Sequence, residues 1–431
     1  MAHSQYSLLG KRRFLPLFLT QFLGAFNDNV FKNALLLMVT FKYAAFGLSA
    51  DAVVSMVALA SGIFILPFFL FSATAGQMAD KFEKARLIRA TKILEVIVMT
   101  TAAVGFYTSN LWVLMSLLFL MGAQSALFGP LKYGILPDHL SEDELMGGNA
   151  LIETGTFLSI LLGTIAGGLL VMLEPNGPVI VAGIVITVAV LGWIASCFIP
   201  PIREDQRSAD LVISPNFVTE TFRVMKASTV NKRVFMAIVA ISWFWLVGAT
   251  FLGQFPPLTK DFLGGNEQVV TLLLAAFSVG IGVGSMLCNK LSGGHPRTSF
   301  VWKGALGLTV FTLGFCASVF CLPASAGAEQ SILAFLGGGL LHWLVLANLI
   351  GIAICGGIFI VPLYVVLQHD SEKSETARTI AANNVVNALF MVASAIAVMG
   401  LLAVGLNLLH IFALVGVANL WIVWLCRKHF G

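Results

Sequence analysis

Gln21-Phe22-Leu23-Gly24-Ala25-Phe26-Asn27-Asp28-Asn29-Val30-Phe31-Lys32-Asn33 lies inside an apolar run from Phe14 to Phe41, and this clash of polar groups with apolar surroundings decides the reading of the chain. If Phe14 marks the membrane boundary, a rise of about 1.5 Å per residue carries Asp28 roughly 21 Å inward, past the midplane of a ~30 Å hydrocarbon layer. Ionisable groups at that depth face a protein interior or a cavity rather than lipid, and by default they mark a functional site. Lys32 follows Asp28 by one helical turn, so its ammonium is expected to reach the carboxylate along the same face. The competing reading is a packing pair that ties this helix to its neighbours.

The rest of the composition agrees with a membrane setting. The 431 residues are 58% hydrophobic and only 11% charged, with mean hydropathy +0.92. A soluble globule carries about a quarter of its residues as charges, so a soluble fold is excluded. The 41 glycines suit helices that approach closely in lipid. Lys11-Arg12-Arg13 precedes an apolar run too long for a signal-peptide core, so the first helix is expected to be retained. Cys197, Cys288, Cys316, Cys321, Cys355 and Cys426 lie in or at the ends of apolar segments without metal-ligand spacing, which indicates neither a disulfide framework nor a metal site.

Apolar runs long enough to span fall at 14–42, 50–78, 86–108, 111–136, 148–173, 178–199, 234–259, 268–291, 299–322, 344–367, 376–403 and 407–426, which predicts twelve transmembrane helices. The longest polar interruption, 200–233, contains Arg203-Glu204-Asp205-Gln206-Arg207 and reads as a cytoplasmic linker between six-helix bundles at 1–199 and 234–431. Pro215 to Ala227 is expected to form a short amphipathic helix on the membrane surface. With both termini inside, the 25 Lys and Arg residues fall on the cytoplasmic side, except Lys42 and Lys260 outside and Lys32 and Lys132 within the membrane. That bias predicts cytoplasmic N and C termini. The halves also repeat: Pro130-Leu131-Lys132-Tyr133 matches Pro362-Leu363-Tyr364-Val365, and Gly148-Asn149-Ala150 matches Ala382-Asn383-Asn384. A parallel repeat predicts an axis along the membrane normal, a site between the halves and alternating access.

Gly76-Gln77-Met78-Ala79-Asp80-Lys81-Phe82-Glu83-Lys84-Ala85-Arg86, between the second and third helices, resembles the signature loop of the major facilitator superfamily, Gly-x-x-x-Asp-Arg/Lys with further basic residues. The resemblance implies an all-α membrane protein of that fold and a gate: Asp80 on the start of helix 11 near Thr376, with Gly76, Lys81, Lys84 and Arg86 completing it. Glu83 and Ala85 depart from the pattern, which usually has a glycine and a basic residue there.

Lys132, from Gly129-Pro130-Leu131-Lys132-Tyr133-Gly134-Ile135-Leu136-Pro137, and Glu153, from Asn149-Ala150-Leu151-Ile152-Glu153, flank an acidic turn at similar distance, so they are expected to lie at similar depth and to pair. A structural salt bridge is the plainer alternative. The matching positions of the second half, Tyr364 and Asn387, are neutral, so the deep charges belong to the first half alone. Together with Gln21-Phe22-Leu23-Gly24-Ala25-Phe26-Asn27-Asp28-Asn29, these motifs resemble the bacterial lysophospholipid transporter family of that superfamily, over about Leu15 to Arg427. The form around Asn27 to Asn33 resembles most the transporter domains fused to a 2-acylglycerophosphoethanolamine acyltransferase and acyl-carrier-protein synthetase; no such enzyme is expected after Gly431.

The resemblance implies flipping of lysophosphatidylethanolamine, and of lysophosphatidylglycerol, from the outer to the inner leaflet of a bacterial inner membrane for reacylation, with functional coupling to a cytoplasmic-side acyltransferase/acyl-ACP synthetase. It puts Asp28 and Lys132 on the substrate path. The chemistry fits on its own terms, because a phosphate and an ammonium call for a cation and a carboxylate close together. The candidate binding set is Asn27, Asp28, Asn29, Lys32, Lys132, Tyr133, Asn149 and Glu153. Gly163, Gly167, Gly280, Gly282 and Gly284 with the many Phe residues are compatible with an apolar path for the acyl chain.

Three rivals remain. A drug exporter of the same superfamily is expected to have an aromatic cavity with few fixed charges. An enzyme of lipid metabolism would need a nucleotide loop, a metal-spaced His set, a nucleophile elbow or a His-x4-Asp motif, and none is present; His139 has no adjacent nucleophile. A scaffold would not need the deep charges. No cofactor and no nucleic-acid partner is expected, and His342, Trp243 and Trp245 read as interfacial or packing residues.

Overall fold

The computed structural model describes residues 5–42, 46–47, 50–201, 211, 213–214, 216–293, 297–323 and 330–431. The chain is all-α. The long helices are α1 (Leu15–Phe41), α2 (Ala50–Lys81), α3 (Lys84–Thr108), α4 (Leu111–Gly134), α5 (Glu142–Val171), α6 (Gly177–Cys197), α7 (Lys232–Asp261), α8 (Glu267–Ser292), α9 (Val301–Phe320), α10 (Leu340–His369), α11 (Thr376–Ala403) and α12 (Leu408–Phe430). Among the described residues, ten of these are long and apolar enough to cross a membrane by composition alone. The two that fall short, α1 and α3, have the length but carry buried Gln21, Asn27 and Asn29, and Lys92 and Glu95, in their interiors. The polypeptide is thus a multi-pass membrane protein.

Helix starts follow local chemistry. Asn110, Asn231, Asn266 and Asn407 each accept backbone N–H groups of the turn they cap, and Ser141 with Glu144 forms a capping box on α5. That cap explains why α5 begins before its apolar run: Glu142, Asp143 and Glu144 favour a helix N-terminus, so the acidic turn becomes helical. Lys11 and Arg13 hold Glu144 at 2.7 and 2.6 Å.

The linker is described in part. Its charge run, Arg203 to Arg207, and Pro215 lie outside the described residues. The expected short amphipathic helix forms at Phe217–Ser228, and it packs against both α2 and α11. Gln77 Oε1 accepts the Ser214 N–H at 3.1 Å, which ties the approach to that helix to α2.

Packing places α1 against α5 and α6, α2 against α4, and α3 against α4 and α6; α7 packs on α10, α11 and α12, and α9 on α10 and α12. Contacts between these groups run through α2 with α11, α4 with α11, α5 with α8 and α5 with α10. Both termini lie at one end: Gln5 Nε2 donates to Met286 O on α8, while Arg233 donates to Thr298, whose hydroxyl bonds Phe430 O.

The closest approach is between α8 and α10, where a Cβ on Gly284 would sit 2.0 Å from Ile354 O. Backbone cannot yield cheaply there, and overpacking of this kind costs about 1–3 kcal/mol. Gly284→Ala is expected to lower the thermal unfolding temperature in detergent, whereas Gly183→Ala, which meets open space, leaves it unchanged; equal behaviour of the two variants would contradict this packing.

Candidate functional site

A central cavity of about 340 Å³ opens between the helices, a size that suits a small ligand or headgroup. Asp28, Asn29 and Lys32 of α1, Ser125 and Lys132 of α4, and Trp245 of α7 line it, with Phe64, Phe68, Phe128 and Phe157 supplying much of the apolar wall. Ser125 Oγ donates to Asp28 Oδ2 at 2.5 Å, but Asp28 Oδ1 is buried and accepts no hydrogen bond from the described residues. Lys32 does not close on Asp28: its Nζ stands over the Phe64 ring, 5.4 Å from the centroid. Lys132 Nζ lies 4.4 Å from the centroid of Tyr133, and it is the Tyr133 hydroxyl, not Lys132, that donates to Glu153. Both expected ion pairs are therefore corrected. Ring faces attract the two ammonium groups, and among the described residues neither makes an ion pair; Asp28 Oδ1 and Glu153 Oε2 are two buried carboxylate oxygens without a hydrogen bond, of which only Asp28 belongs to a cavity-lining residue.

Behind α1 sits an ion pair that the sequence reading missed. Lys92 and Glu95 on α3, each 1% exposed at the side chain, bond to one another. Asn27 Nδ2 donates to Glu95 Oε1 at 3.0 Å and to Val185 O at 3.1 Å, and Gln124 Nε2 donates to Glu95 Oε2 at 3.1 Å. Lys92 departs from the cytoplasmic placement that the charge distribution predicts. It lies about 12 Å along α3, at 1.5 Å per residue from Lys84, and its i,i+3 spacing from Glu95 was the available signal. Asn27 is correspondingly removed from the cavity: it faces α3 and α6 as a partner of Glu95. Gln124 also touches Ser125, whose hydroxyl is 3.3 Å from Gln124 Oε1, so the buried pair connects to Asp28 through two side chains.

Towards the terminus-bearing end the cavity is closed in layers. The rings of Tyr133 and Tyr364 stack at 4.2 Å with planes 7° apart. Below them Asn149 Nδ2 donates to Gln368 Oε1 at 2.6 Å, and Gln368 Nε2 donates to Tyr133 O. Asn149 thus belongs to the closure and not to the cavity wall. Next, Asp80 accepts the backbone N–H groups of Ala377 and Arg378 at 3.1 and 3.2 Å and the Arg378 Nε at 3.0 Å, a carboxylate at the N-terminus of α11.

Gly76 allows this approach, since a Cβ there would lie 2.9 Å from the Arg378 Cα. Lys84 pairs with Asp138 at 2.6 Å, while Lys81 lies over Phe82 and Arg86 is exposed. Glu83, the departure from the loop pattern, caps α3 by accepting from Ala85 N and Arg86 N at 2.9 and 2.7 Å. Trp245 packs with Phe157 at the cavity, whereas Trp243 donates to Asn419 and His342 is buried against Phe335.

Each hydrogen bond to a charged partner contributes about 1.5–3 kcal/mol. Asp80→Asn is expected to loosen the closure at least tenfold. The measurement is the maleimide labelling rate of Ala150→Cys, a buried position, in a chain freed of the exposed Cys197 and Cys321. An unchanged labelling rate would remove Asp80 from the closure.

Comparison with known proteins places this geometry. The chain is 28% identical over 424 residues to the lysophospholipid transporter LplT of Citrobacter koseri, covering 95% of this chain and 94% of that one. It is 27% identical over 393 residues to the protein of the same name in Enterobacter sp. strain 638, covering 89% and 86%. Among solved structures, the human organic anion transporter MFSD10 (TETRAN) superposes with a TM-score of 0.73 at 13% identity, over 96% of this chain and 99% of that one. The proton:xylose symporter XylE superposes with a TM-score of 0.73 at 12% identity, over 99% and 97%. The family model of the Major Facilitator Superfamily matches residues 17–395, and the chain belongs to that superfamily.

Proposed function

We propose that this protein carries lysophospholipids, lysophosphatidylethanolamine first and lysophosphatidylglycerol as a related cargo, from the outer to the inner leaflet of a bacterial inner membrane by alternating access. The observation that supports this most is the charge arrangement of the cavity: Asp28 Oδ1 awaits a donor while Lys32 and Lys132 rest on aromatic rings. A phosphoethanolamine headgroup supplies the missing members of both contacts, its ammonium to Asp28 and its phosphate to the lysines. The Phe-rich wall suits a single acyl chain. The LplT relatives, similar over nearly the whole chain, point the same way.

The two six-helix bundles, 1–199 and 234–431, move about the cavity in this reading, joined by the linker at 200–233. Both termini lie in the cytoplasm, as the Lys and Arg distribution argues. The described closure then shuts the cytoplasmic side and leaves loading to the outer leaflet. Asn29 and Tyr133 complete the substrate site, Glu153 holds the Tyr133 hydroxyl from behind the cavity wall, and Gly76, Asp80, Lys81, Lys84 and Arg86 form the gate. Reacylation of the delivered lipid falls to a cytoplasmic-side acyltransferase/acyl-ACP synthetase working downstream.

The test is uptake of labelled lysophosphatidylethanolamine by spheroplasts producing the protein. Asp28→Asn and Lys132→Ala are each expected to cut uptake at least tenfold, equivalent to about 1.4 kcal/mol, with membrane insertion intact. Ser125→Ala, which removes only the anchor of Asp28 Oδ2, should cost less, about threefold to tenfold, or up to about 1.4 kcal/mol. Full uptake by both charge variants refutes the site, and transport of a water-soluble drug in place of lysolipid would reassign the protein as an exporter.

A further inference from the structure

The central cavity also holds uncharged polar groups, and they come from the other half of the chain. Asn384, Asn387, Ala388 and Met391 of α11 line it, at the i, i+3, i+4 and i+7 spacing of one helix face. Asn384 is half-buried; among the described residues its amide oxygen and nitrogen have no hydrogen-bond partner, and neither atom is shut away from the cavity. Asn387 is 8% exposed and accepts from Ser242 Oγ at 2.7 Å through Oδ1, which leaves its Nδ2 open and without a partner among the described residues.

Asn384 is also held in a defined place. A Cβ on Gly129 of α4 would stand 2.5 Å from Asn384 Nδ2, so the amide lies against α4 where a glycine makes room for it. Gly129 shares its face of α4 with Ser125 one turn before it and Lys132 one turn after it. The amide is therefore seated between the anchor of Asp28 and the cation of Lys132. A carboxamide carries an acceptor oxygen and a donor nitrogen. A phosphate would use only the nitrogen and an ammonium only the oxygen, whereas an alcohol uses both.

Resting on the lysophospholipid reading given above, we propose that Asn384, aided by Asn387, reads the free glycerol hydroxyl of the cargo, the group that separates a lysolipid from a two-chain phospholipid. In a lysolipid acylated at the outer glycerol carbon, that hydroxyl sits on the carbon next to the one bearing the phosphate ester. A headgroup held by Asp28 and Lys132 thus presents it beside Gly129, where it donates to Asn384 Oδ1 and accepts from an amide N–H. In a two-chain lipid the same oxygen belongs to an ester: it has no O–H to donate, and Oδ1 is left facing another acceptor. A site that hydrogen-bonds an alcohol discriminates against the molecule lacking it, because the polar groups of the site are then unmatched. Selectivity for single-chain lipids accordingly rests on hydrogen bonding as well as on space.

Spheroplasts producing the full chain are given labelled lysophosphatidylethanolamine acylated at the outer glycerol carbon, or its deoxy analogue in which the C–OH is CH2, and initial uptake above that of spheroplasts lacking the protein is measured. Wild type is expected to prefer the hydroxyl lipid roughly tenfold. Asn384→Leu is expected to bring the ratio within about twofold, by slowing the hydroxyl lipid while sparing the analogue. The ratio is taken within each variant, so a lower yield of folded protein cancels. Asp28→Asn is expected to slow both lipids and keep the ratio. Equal uptake of the two lipids by wild type, or an unchanged ratio in Asn384→Leu, overturns this inference and leaves lysolipid transport standing. Uptake of neither lipid by wild type overturns the cargo reading, and this inference with it.

Discussion

The structure depends on how charge is handled where water is absent. Removing one partner of a buried ion pair costs about 3–5 kcal/mol, because the survivor is left uncompensated. Lys92 and Glu95 meet that constraint fully: each has the other, and Asn27 and Gln124 take up carboxylate lone pairs that would otherwise be bare. They join α3 to α1 and α4 from inside. Asp28 meets the constraint only halfway, with one oxygen on Ser125 and the other open. The contrast separates a structural pair from a receptive one, and it comes from neighbours rather than from residue type.

Closure of the terminus-bearing end is divided among weak and separable contacts. A stacked tyrosine pair, an Asn–Gln exchange and a carboxylate at a helix N-terminus each contribute a few kcal/mol at most. None is hydrophobic enough to make the closure permanent, and each joins one group of helices to the other. In the proposed gate, polar contacts suit reopening, because water can replace them when the helices part.

The helices also divide the work unequally. Tyr133 and Tyr364, one from each matched segment though one register position apart, meet face to face at the closure. The cavity charges, by contrast, come from α1 and α4 alone, while α7 offers Phe244, Trp245, Gly248 and Leu252. One side of the cavity presents charge and the other a smooth apolar wall. Such an arrangement can hold an amphipathic molecule in a defined orientation.

The long helices, the membrane setting and the loop from Gly76 to Arg86 were legible in the sequence, because they rest on run length, hydropathy and short-range motifs; the start of α5 at Glu142 was not, because its cap lies outside the apolar run. The placement of Asp80 at the start of α11 followed from the same pattern, since a carboxylate and a helix N-terminus attract wherever they meet. Pairing inside the membrane was not legible. Asp28 and Lys32 are one turn apart yet separate onto a serine and a phenylalanine ring, and Lys132 cedes Glu153 to its neighbour Tyr133. Asn27 and Asp28, adjacent in sequence and about 100° apart around α1, face different neighbours, one a structural network and one the cavity. Sequence spacing sets which groups share a helix face; only tertiary packing decides which partner from another helix arrives first, and in a medium without water that choice fixes each charge's role.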